Sequence, residues 1–377
     1  MTKILIINSS RQPSKTLKEL FQSLEEKKYH LHLLSSNPDF LKDFSRENTT
    51  KQKVYLGPKI NEKENIFIFL FLFPFLCLWR FFSLLFLKIK SDLKTIICFS
   101  WNERIIFTPL AKLLKLKIVW IEKPGISYKN NSKLAIKLLK SLQKGVKIIV
   151  FTKGTGEKLE SEIFPKAEIK NISLGIKTDF YEYQENIFSN LARAIDLSAQ
   201  GKCFTVGAII DLDKIHQMEN VFRSLKICLN GFSNLRLVVI GEGKEKKQLS
   251  WLARQTGVEQ YVYLVGSQSY LGRWWESFDV YLVASLKPKL TDFNTVLKAM
   301  YARLPVITFE GEGVEDIVIN EQNGFLIPKN DYEVLAEKII QLQQKPELKK
   351  FLGENGHNLV KKHFTFQEQL ARLENEL

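Results

Sequence analysis

The 377-residue chain has little cysteine and little histidine. Its four cysteines, Cys77, Cys98, Cys203 and Cys228, are far apart and form no CxxC pair, and its five histidines do not cluster. We therefore expect neither a disulfide framework nor a site for zinc or another metal. A reducing compartment is the expected environment of the protein. The N-terminus runs directly into the strand-like sequence KILII, so no signal peptide is expected.

The first half of the chain is also poor in acidic side chains. Residues 1–200 hold 33 basic and 19 acidic side chains, whereas residues 201–377 hold 22 of each, so the whole formal charge of +14 lies in the first half. Such asymmetry indicates a polyanionic surface as partner, either nucleic acid or an anionic membrane. The alternative is a solvated, lysine-rich surface.

Short apolar runs alternate with helical segments in both halves. They lie at residues 3–7, 29–34, 95–99, 117–121 and 146–151, and again at 204–210, 235–240, 261–265, 279–283 and 304–308. This alternation predicts an α/β fold of two doubly wound, parallel-sheet domains that face each other across a cleft. The expected division is a first domain at 1–182, a polar linker at 183–201, a second domain at 202–362 and a final helix at 363–377.

Residues 66–87 form an apolar segment with eight phenylalanines and one charge, Arg80. As a helix it would measure about 33 Å, nominally enough to cross a bilayer. A crossing would separate the strands at 3–7 and 95–99, which should share one sheet, and Pro74 would break or kink the helix. The segment therefore predicts a helix in a membrane interface, or one partly inserted and partly packed on its own sheet. The alternatives are a core helix and a true span.

Lysines flank this segment at positions 88, 90 and 94, and residues 131–147 place four more on one helical face. Nucleic acid is disfavoured because that face is interleaved with aliphatic side chains rather than with exposed aromatics and arginine. The predicted membrane contact consists of Phe71, Phe73, Phe75, Trp79, Arg80, Phe82, Lys133, Lys137, Lys140 and Lys144.

A series of motifs begins near residue 168. It comprises NISLGIKTDFY (171–181), RLVVIGEG (236–243), VYLVGSQS (262–269), FDVYLVAS (278–285), KAMYARLPVI (298–307), and GVEDIV followed by NGFLIP (313–318, 323–328). In this order and spacing the series resembles the retaining glycosyltransferases of family 4. The resemblance implies the GT-B fold of two Rossmann-like domains, a nucleotide-sugar donor, retention of anomeric configuration, no required metal, and a final helix that returns to the first domain.

The donor's pyrophosphate gains charge as the glycosidic bond breaks, and a helix N-terminus suits that charge. The turn at 292–296 opens a helix and is placed for this role. Gly241 and Gly243 follow a strand and would let the backbone approach the donor closely. For either glycine taken alone, a tight turn after the strand is an equally good explanation. The predicted donor-binding residues are Gly207, Gly241, Glu242, Gly243, Gly266, Ser285, Phe293, Asn294, Thr295 and Val296.

The sequence departs from the family at its paired glutamates, which fall here on Leu290 and Lys298. A lysine cannot accept hydrogen bonds from the donor ribose. The arginine that usually follows the first strand of the second domain is Ala208. We therefore predict Lys214 and Lys298 as the catalytic groups, which would stabilise the phosphate as point charges. The alternative for Lys298 is a solvated helix lysine.

The first domain fits the family only in outline. Ser9, Ser10 and Arg11 replace its glycine-rich loop, and IEKPG (121–125) lacks the histidine that often faces the reacting sugar. We predict Ser9, Ser10, Arg11 and Glu122 on the acceptor side. His30 and His32 lie in a predicted strand, where a packing role is expected.

These observations predict a cytoplasmic protein that is peripherally associated with the inner face of the membrane. It would transfer a sugar from a UDP- or GDP-sugar to a lipid-linked or polysaccharide acceptor, without a cofactor. The alternative is an inactive protein of the same fold that serves as partner or scaffold for a second, active glycosyltransferase. Fold alone does not choose between the two.

Overall fold

The computed structural model describes residues 3–9, 15–27, 29–42, 44, 49–58, 65–124, 132–178, 203–213, 218–268, 271–286, 288–311 and 313–377. The chain divides into two compact units, one of Met1–Ser173 with Gln367–Leu377 and one of Leu174–Phe366. Each unit contains one parallel sheet with helices. The predicted architecture of two parallel-sheet α/β domains is therefore confirmed. The linker predicted at 183–201 lies outside the described residues.

The first unit contains a seven-stranded sheet of order β3-β2-β1-β4-β5-β6-β7. Its strands are β1 Lys3–Asn8, β2 His30–Ser35, β3 Thr49–Lys53, β4 Leu93–Cys98, β5 Lys117–Glu122, β6 Lys147–Val150 and β7 Glu168–Asn171. Its helices are α1 Lys15–Glu26, α2 Pro38–Lys42, α3 Ile66–Ser91, α4 Trp101–Leu113, α5 Lys133–Leu142 and α6 Lys153–Lys158, which runs into a π-helical turn at Leu159–Ile163.

The second unit contains a six-stranded sheet of order β10-β9-β8-β11-β12-β13. Its strands are β8 Phe204–Ile209, β9 Leu235–Ile240, β10 Val262–Gly266, β11 Val280–Val283, β12 Val306–Phe309 and β13 Gly324–Ile327. Its helices are α7 Met218–Gly231, α8 Lys246–Thr256, α9 Gly272–Ser277, α10 Leu290–Tyr301, α11 Tyr332–Gln344 and α12 Pro346–His363. The last helix, α13 Phe366–Glu376, follows.

Helix α13 contacts the first unit through its C-terminal end. Glu374 pairs with Lys27, the residue after α1, at 2.9 Å, and Glu376 pairs with Lys147 of β6. The hydroxyl of Thr95 in β4 donates to the carbonyl of Leu377 at 3.0 Å. These contacts explain why the last residues of the chain group with the first unit.

The central strands are continuous apolar runs because helices cover both faces of each sheet. Ile4 to Ile7 of β1 are all fully buried. The edge strands β3 (TTKQK) and β7 (EIKN) are polar instead. Edge strands commonly carry charges, which discourage pairing with another chain. Neither strand was predicted, because the apolar periodicity that marks a buried strand is missing from both.

Helix α3 runs without interruption from Ile66 to Ser91, although Pro74 lies inside it. Of the two effects expected of Pro74, a break or a kink, the break is therefore contradicted. Proline removes one backbone hydrogen bond of a helix. Burial of Phe69 and Leu84 on the first sheet stabilises the helix on both sides of that position.

One ion pair is completely enclosed in the first unit. Arg104 of α4 donates from Nη1 to Glu122 Oε2 at 2.5 Å and from Nη2 to the carbonyl of Ile121 at 2.8 Å. Both side chains are at most 1% exposed. The guanidinium also lies over the ring of Trp120, 5.3 Å from its centre. The pair joins α4 to the end of β5.

We predict that Arg104→Met lowers the free energy of unfolding by about 3–5 kcal/mol, because it leaves the Glu122 carboxylate buried without its cation. Adding Glu122→Leu should recover most of the lost free energy of unfolding, because neither member of the buried ion pair then remains. Urea denaturation of the three variants measures both effects. Losses that simply add in the double variant would contradict the buried pairing.

Candidate functional site

The second sheet reverses its winding direction between β8 and β11. Strand β8 pairs with β9 on one side and with β11 on the other, and both pairings are parallel. The loops after these three strands therefore leave the same edge of the sheet. Helix α10 begins shortly after β11, at Leu290. In open α/β sheets, ligands bind outside the carboxyl ends of the strands at such a reversal. This edge is the candidate donor site.

The loops after β8 and β9 press directly against each other. Leu212 donates its backbone N–H to the carbonyl of Glu242 at 3.1 Å. A Cβ on Gly241, whose φ is +154°, would lie 1.9 Å from the carbonyl oxygen of Ile210. A Cβ on Gly243 would lie 2.2 Å from the carbonyl carbon of Leu212. Both positions therefore require glycine because of the chain's own packing.

Two further glycines from the predicted donor group have similar roles. Gly266 has a φ of +76°, and a Cβ there would lie 2.8 Å from Glu242 Oε1, which also accepts from Lys246 Nζ at 3.0 Å. A Cβ on Gly207 would lie 2.2 Å from the ring of Phe278. The motif glycines thus shape the edge of the sheet.

Charged side chains surround the N-terminus of α10. Asp292 accepts the backbone N–H of Lys289 at 2.6 Å, and Lys289 Nζ pairs with Asp211 at 2.9 Å. Burial raises the pKa of Asp292, while the hydrogen bond from Lys289 acts in the opposite direction. The helix dipole favours negative charge at this end. The arrangement ties the loop after β8 to the start of α10.

The side chains of α10 divide between the core and the solvent side. Phe293 and Val296 are buried, and the backbone N–H of Phe293 donates to the carbonyl of Lys289 at 3.3 Å. Asn294 and Thr295 are half-buried, and the Thr295 hydroxyl accepts from the hydroxyl of Tyr281 at 3.0 Å. The prediction of donor contact for Phe293 and Val296 therefore cannot refer to their side chains, because the helical period turns both inward.

Of the predicted catalytic pair, the structure places one member. Lys298 is half-buried and lies two turns into α10, on the stripe of Leu290 and Asn294. Lys214 lies outside the described residues. Ser285, from the donor group, is half-buried just after β11. The positive groups near this edge of the second sheet are thus the N-terminus of α10, Lys289 and Lys298.

A carboxylate joins two loops at the corresponding edge of the first sheet, where β1 and β4 are neighbours. Glu103 Oε1 accepts the backbone N–H of Ser9 and its hydroxyl, the latter at 2.6 Å. Its Oε2 accepts the backbone N–H of Phe99 at 2.6 Å and of Ser100 at 2.9 Å. With four donors bound, Glu103 orients Ser9 and is not a free base.

The predicted acceptor residue Glu122 points into the protein. Its Oε2 is held by Arg104, and its Oε1 has no hydrogen-bond partner among the described residues. The next residue, Lys123, is half-buried. Burial lowers the pKa of Lys123, and the charges of Glu103 and Glu122 oppose that shift. Ser10 and Arg11 lie outside the described residues, so Ser9 is the acceptor-side residue that the structure brings to this edge.

Sequence reasoning missed Glu103, Arg104 and Lys123. A local signal existed for Glu103, because Ser100 and Glu103 form the S-x-x-E capping box at the start of α4. No local pattern marked Lys123, because its environment depends on burial and on Glu103, which lies 20 positions earlier in α4.

The described residues contain no group of three or more His, Cys, Asp or Glu side chains arranged to hold a metal ion.

One side of α3 is apolar and uncovered in the part of the chain that the structure describes. This Phe face consists of nine side chains, each at least 55% exposed: Phe67, Ile68, Phe71, Phe75, Leu78, Trp79, Phe82, Phe86 and Ile89. By length and composition alone, the stretch Phe67–Ser91 could cross a membrane. Exposed apolar patches of this extent commonly mark a partner or a membrane.

The opposite side of α3 packs on the first sheet. Phe73 contacts the core, and Arg80 is 7% exposed and donates from Nη2 to the carbonyl of Tyr55 at 3.3 Å. Both were predicted to contact a membrane, and the structure turns both inward. The helical period places them on the same side as the buried Phe69 and Leu84.

Helices α3, α4 and α5 lie side by side on one face of the first sheet. Ala135 and Leu139 of α5 are buried there, and Lys133, Lys137 and Lys140 are exposed. The predicted fourth member, Lys144, is exposed but lies in the turn after α5 rather than on the helix. The Phe face and these lysines therefore belong to one helical layer.

Comparison with known families finds a match within the second unit. Residues 198–359, which contain β8 to β13, match the family of glycosyl transferases group 1. CapM, a capsular polysaccharide biosynthesis glycosyltransferase of Staphylococcus aureus, is 26% identical over 178 residues, which cover 43% of this chain and 42% of CapM. Alpha-monoglucosyldiacylglycerol synthase of Acholeplasma laidlawii is 28% identical over 127 residues, 33% of this chain and 31% of the synthase. The chain spans less than half the length of the curated relatives it matches.

Solved structures resemble the whole chain. HepE of Anabaena in complex with UDP has a TM-score of 0.79 at 13% identity, covering 100% of this chain and 99% of HepE. The likeness shows that the fold is GT-B. With the family match, it supports the GT-B glycosyltransferase superfamily, within which membership of family 4 stays a prediction.

We predict that Glu103→Gln lowers the free energy of unfolding by about 1–3 kcal/mol, because the new amide nitrogen faces buried N–H donors instead of accepting from them. Urea denaturation measures the loss. Glu160→Gln is the matched control, since Glu160 is exposed in the π-helical turn. An unchanged midpoint for Glu103→Gln would contradict the hydrogen bonding described above.

Proposed function

We propose that this chain, which resembles the GT-B glycosyltransferases throughout its length, moves a sugar from a nucleotide-diphosphate donor to a lipid-linked or polysaccharide acceptor on an anionic membrane surface. The observation that carries the proposal is the match of residues 198–359 to glycosyl transferases group 1. That segment contains the sheet edge where the loops after β8, β9 and β11 meet α10.

The donor half of the proposal is supported by the construction of that edge. The glycines after β9 bring two loops together, and the N-terminus of α10 supplies partial positive charge beside them. The GT-B neighbours HepE and its sugar complexes are described with UDP, with UDP and glucose, and with UDP-glucose. A UDP-sugar is therefore the first donor to test, with GDP-sugars second.

Stabilisation of the leaving diphosphate falls to cationic groups in this proposal. Lys298 on α10 and Lys214 are the candidates, since Leu290 and Lys298 stand where family 4 has glutamates. Fixed positive charge near a departing phosphate stabilises the transition state more than the ground state. The reaction proposed here proceeds with retention and without a metal.

The acceptor half rests on the first unit. Ser9, held by Glu103, and Lys123 lie at the carboxyl edge of the first sheet, where the acceptor would enter. Capsular polysaccharide and glycolipid synthesis appear in the names of the relatives CapM and alpha-monoglucosyldiacylglycerol synthase. The comparisons give no support to the alternative of an inactive partner subunit.

The membrane half rests on the helical layer of α3, α4 and α5. Its Phe face would insert into the interface, and the lysines of α5 would contact anionic headgroups, each adding about 1 kcal/mol. The sheet strands on both sides of α3 belong to one unit, so the proposal is peripheral contact at the inner face of the membrane, with the protein in the cytoplasm.

We expect UDP-sugars to stabilise the protein, because a ligand at 100 times its Kd adds about 2.7 kcal/mol to the free energy of unfolding. We expect Lys298→Ala to lower turnover by about 10- to 100-fold through the loss of one charged contact to phosphate. Thermal-shift measurements and a donor-hydrolysis assay check these outcomes.

The matched control is Lys350→Ala, which removes an exposed lysine from α12 of the same unit. It should leave binding and turnover unchanged. The absence of any shift with UDP-, GDP- and ADP-sugars would contradict the donor site, and equal turnover of Lys298→Ala and the parent would remove Lys298 from the mechanism.

We expect the protein to float with vesicles that contain phosphatidylglycerol, and to float less as salt screens the lysines. The triple variant Phe71→Ser, Phe75→Ser, Phe82→Ser should lower the bound fraction by about 10-fold or more, because it removes three exposed apolar groups from the Phe face. Flotation assays at low and high salt measure both.

Phe351→Ser is the control for this experiment, because Phe351 is 54% exposed on α12 of the second unit. Its flotation should equal that of the parent. Equal flotation of the triple variant would show that the Phe face does not contact lipid.

A further inference from the structure

One exposed ion pair lies directly at the candidate donor site. Lys289, the residue before α10, pairs through Nζ with Asp211 Oδ2 at 2.9 Å, and Asp211 belongs to the loop after β8. The pair therefore joins two chain segments that border the start of α10. The side chains are 58% and 54% exposed, so a ligand at this edge can reach both. The proposed reaction assigns its positive charges to Lys214 and Lys298 and gives this pair no role.

The carboxylate of Asp211 is held by backbone contacts within two loops. Its Oδ1 accepts the backbone N–H of Asp213 at 3.1 Å, and Oδ1 of Asp213 accepts the backbone N–H of Lys244 at 3.0 Å. Lys244 follows β9, and the next residue, Glu245, donates its backbone N–H to the carbonyl of Leu212 at 3.0 Å. The position of this aspartate is therefore fixed by the contact between the loops after β8 and β9.

Three carboxylates act on the ammonium of Lys289. The hydrogen bond to Asp211 raises the pKa of Lys289, and burial opposes this shift. The charges of three aspartates, Asp211, Asp292 and Asp213, add to the rise. Lys289 is therefore a charged ammonium at neutral pH. A diphosphate that approaches this edge meets the like charges of the aspartates, and it meets an ammonium that already holds one of them.

The ion pair between Lys289 and Asp211 is of a kind that a ligand can replace. Exposed ion pairs add little to stability, because water solvates both partners when they separate. A diphosphate carries more negative charge and more acceptor oxygens than one carboxylate, so it attracts an ammonium more strongly. The ammonium of Lys289 has three N–H donors on a flexible four-carbon side chain. It can therefore turn from the fixed aspartate towards a ligand at the start of α10.

We propose that Lys289 binds the diphosphate of the nucleotide-sugar donor, and that Asp211 holds this ammonium until the donor replaces it. In the free protein the aspartate is an internal competitor of the donor. In the complex the ammonium contacts phosphate oxygens and adds its charge to that of Lys298. This exchange rests on the proposed transfer reaction, and it gives the donor site a further diphosphate-binding residue and a carboxylate that limits the affinity.

The test compares the binding of UDP and uridine to the full chain, since UDP carries the diphosphate and uridine does not. Isothermal titration calorimetry measures UDP, and a ligand-observed NMR titration measures the weaker uridine. Asp211→Asn should tighten UDP binding by about 3- to 5-fold, which is the contribution of one exposed ion pair. Lys289→Met should weaken UDP binding by about 10-fold or more, through the loss of a hydrogen bond to a charged group. Both variants should bind uridine as the parent does.

The double variant Asp211→Asn, Lys289→Met tests whether the two residues act on each other. Relative to Lys289→Met alone, the asparagine should change UDP binding by less than about 2-fold, because the ammonium that it would release is absent. Asparagine at 211 keeps an acceptor oxygen for the N–H of Asp213, and Lys289→Met keeps the backbone N–H that Asp292 accepts. Urea midpoints should therefore stay close to that of the parent.

Arg254 and Glu259 form a matched control pair in the same unit. Their side chains, 70% and 50% exposed, pair at 2.8 Å between α8 and the turn before β10, at the opposite edge of the sheet from the donor site. Glu259→Gln and Arg254→Met make the same charge changes as the two test variants. Both should bind UDP as the parent does, because the effect depends on the position of the charge.

Unchanged or weaker UDP binding by Asp211→Asn would overturn the exchange, and a matching loss for uridine would show that Asp211 contacts the nucleoside instead. UDP binding by Lys289→Met as tight as that of the parent would remove the lysine from the diphosphate site. If the parent binds GDP rather than UDP, GDP and guanosine take their places in the same comparison. Binding of neither nucleotide by the parent would contradict the proposed donor site as well, whereas normal binding with unaffected variants contradicts the exchange alone.

Discussion

Parallel strands all end at the same edge of a sheet, and the loops that follow them must share that edge. In the first unit this constraint brings the loop after β1 beside the loop after β4, where Glu103 accepts hydrogen bonds from both. In the second unit it brings the loops after β8 and β9 into backbone contact beside the start of α10. Both candidate sites follow from the direction of the strands.

At both edges the residues that hold the loops differ from those left for chemistry. Glu103 accepts backbone hydrogen bonds and Glu122 pairs with Arg104, so both carboxylates stabilise the first unit. Gly241 and Gly243 are needed because their loops touch each other. The positive groups near the second edge are the start of α10 and lysine side chains, which suit a phosphate and are consistent with the proposed donor.

Helix α3 is apolar on both sides, which distinguishes it from an ordinary surface helix. Its inner side contributes Phe69 and Leu84 to the core, while its outer side exposes aromatic rings that no described residue covers. Water is a poor solvent for such a surface, so a helix of this kind is stable when a second apolar phase meets it.

Local patterns predicted the repeated strand–helix order, the two parallel sheets and the long apolar helix, because apolar periodicity reports which residues a sheet or helix buries. The same reasoning missed β3 and β7, whose polar residues at a sheet edge carry no such periodicity. It also missed Lys123, whose environment depends on its burial and on Glu103 of α4.

The sequence by itself determined that this protein is built of two α/β sheets, with its excess positive charge and its phenylalanines concentrated in the first. Only the tertiary structure decided that Phe73 and Arg80 turn inward while Phe71 and Phe82 turn out. It also decided that the motif glycines meet their own chain, and that His32 Nε2 is buried with no hydrogen-bond partner among the described residues. The reason is that composition and spacing record which residues are apolar or charged, whereas contacts between distant segments depend on how the elements pack.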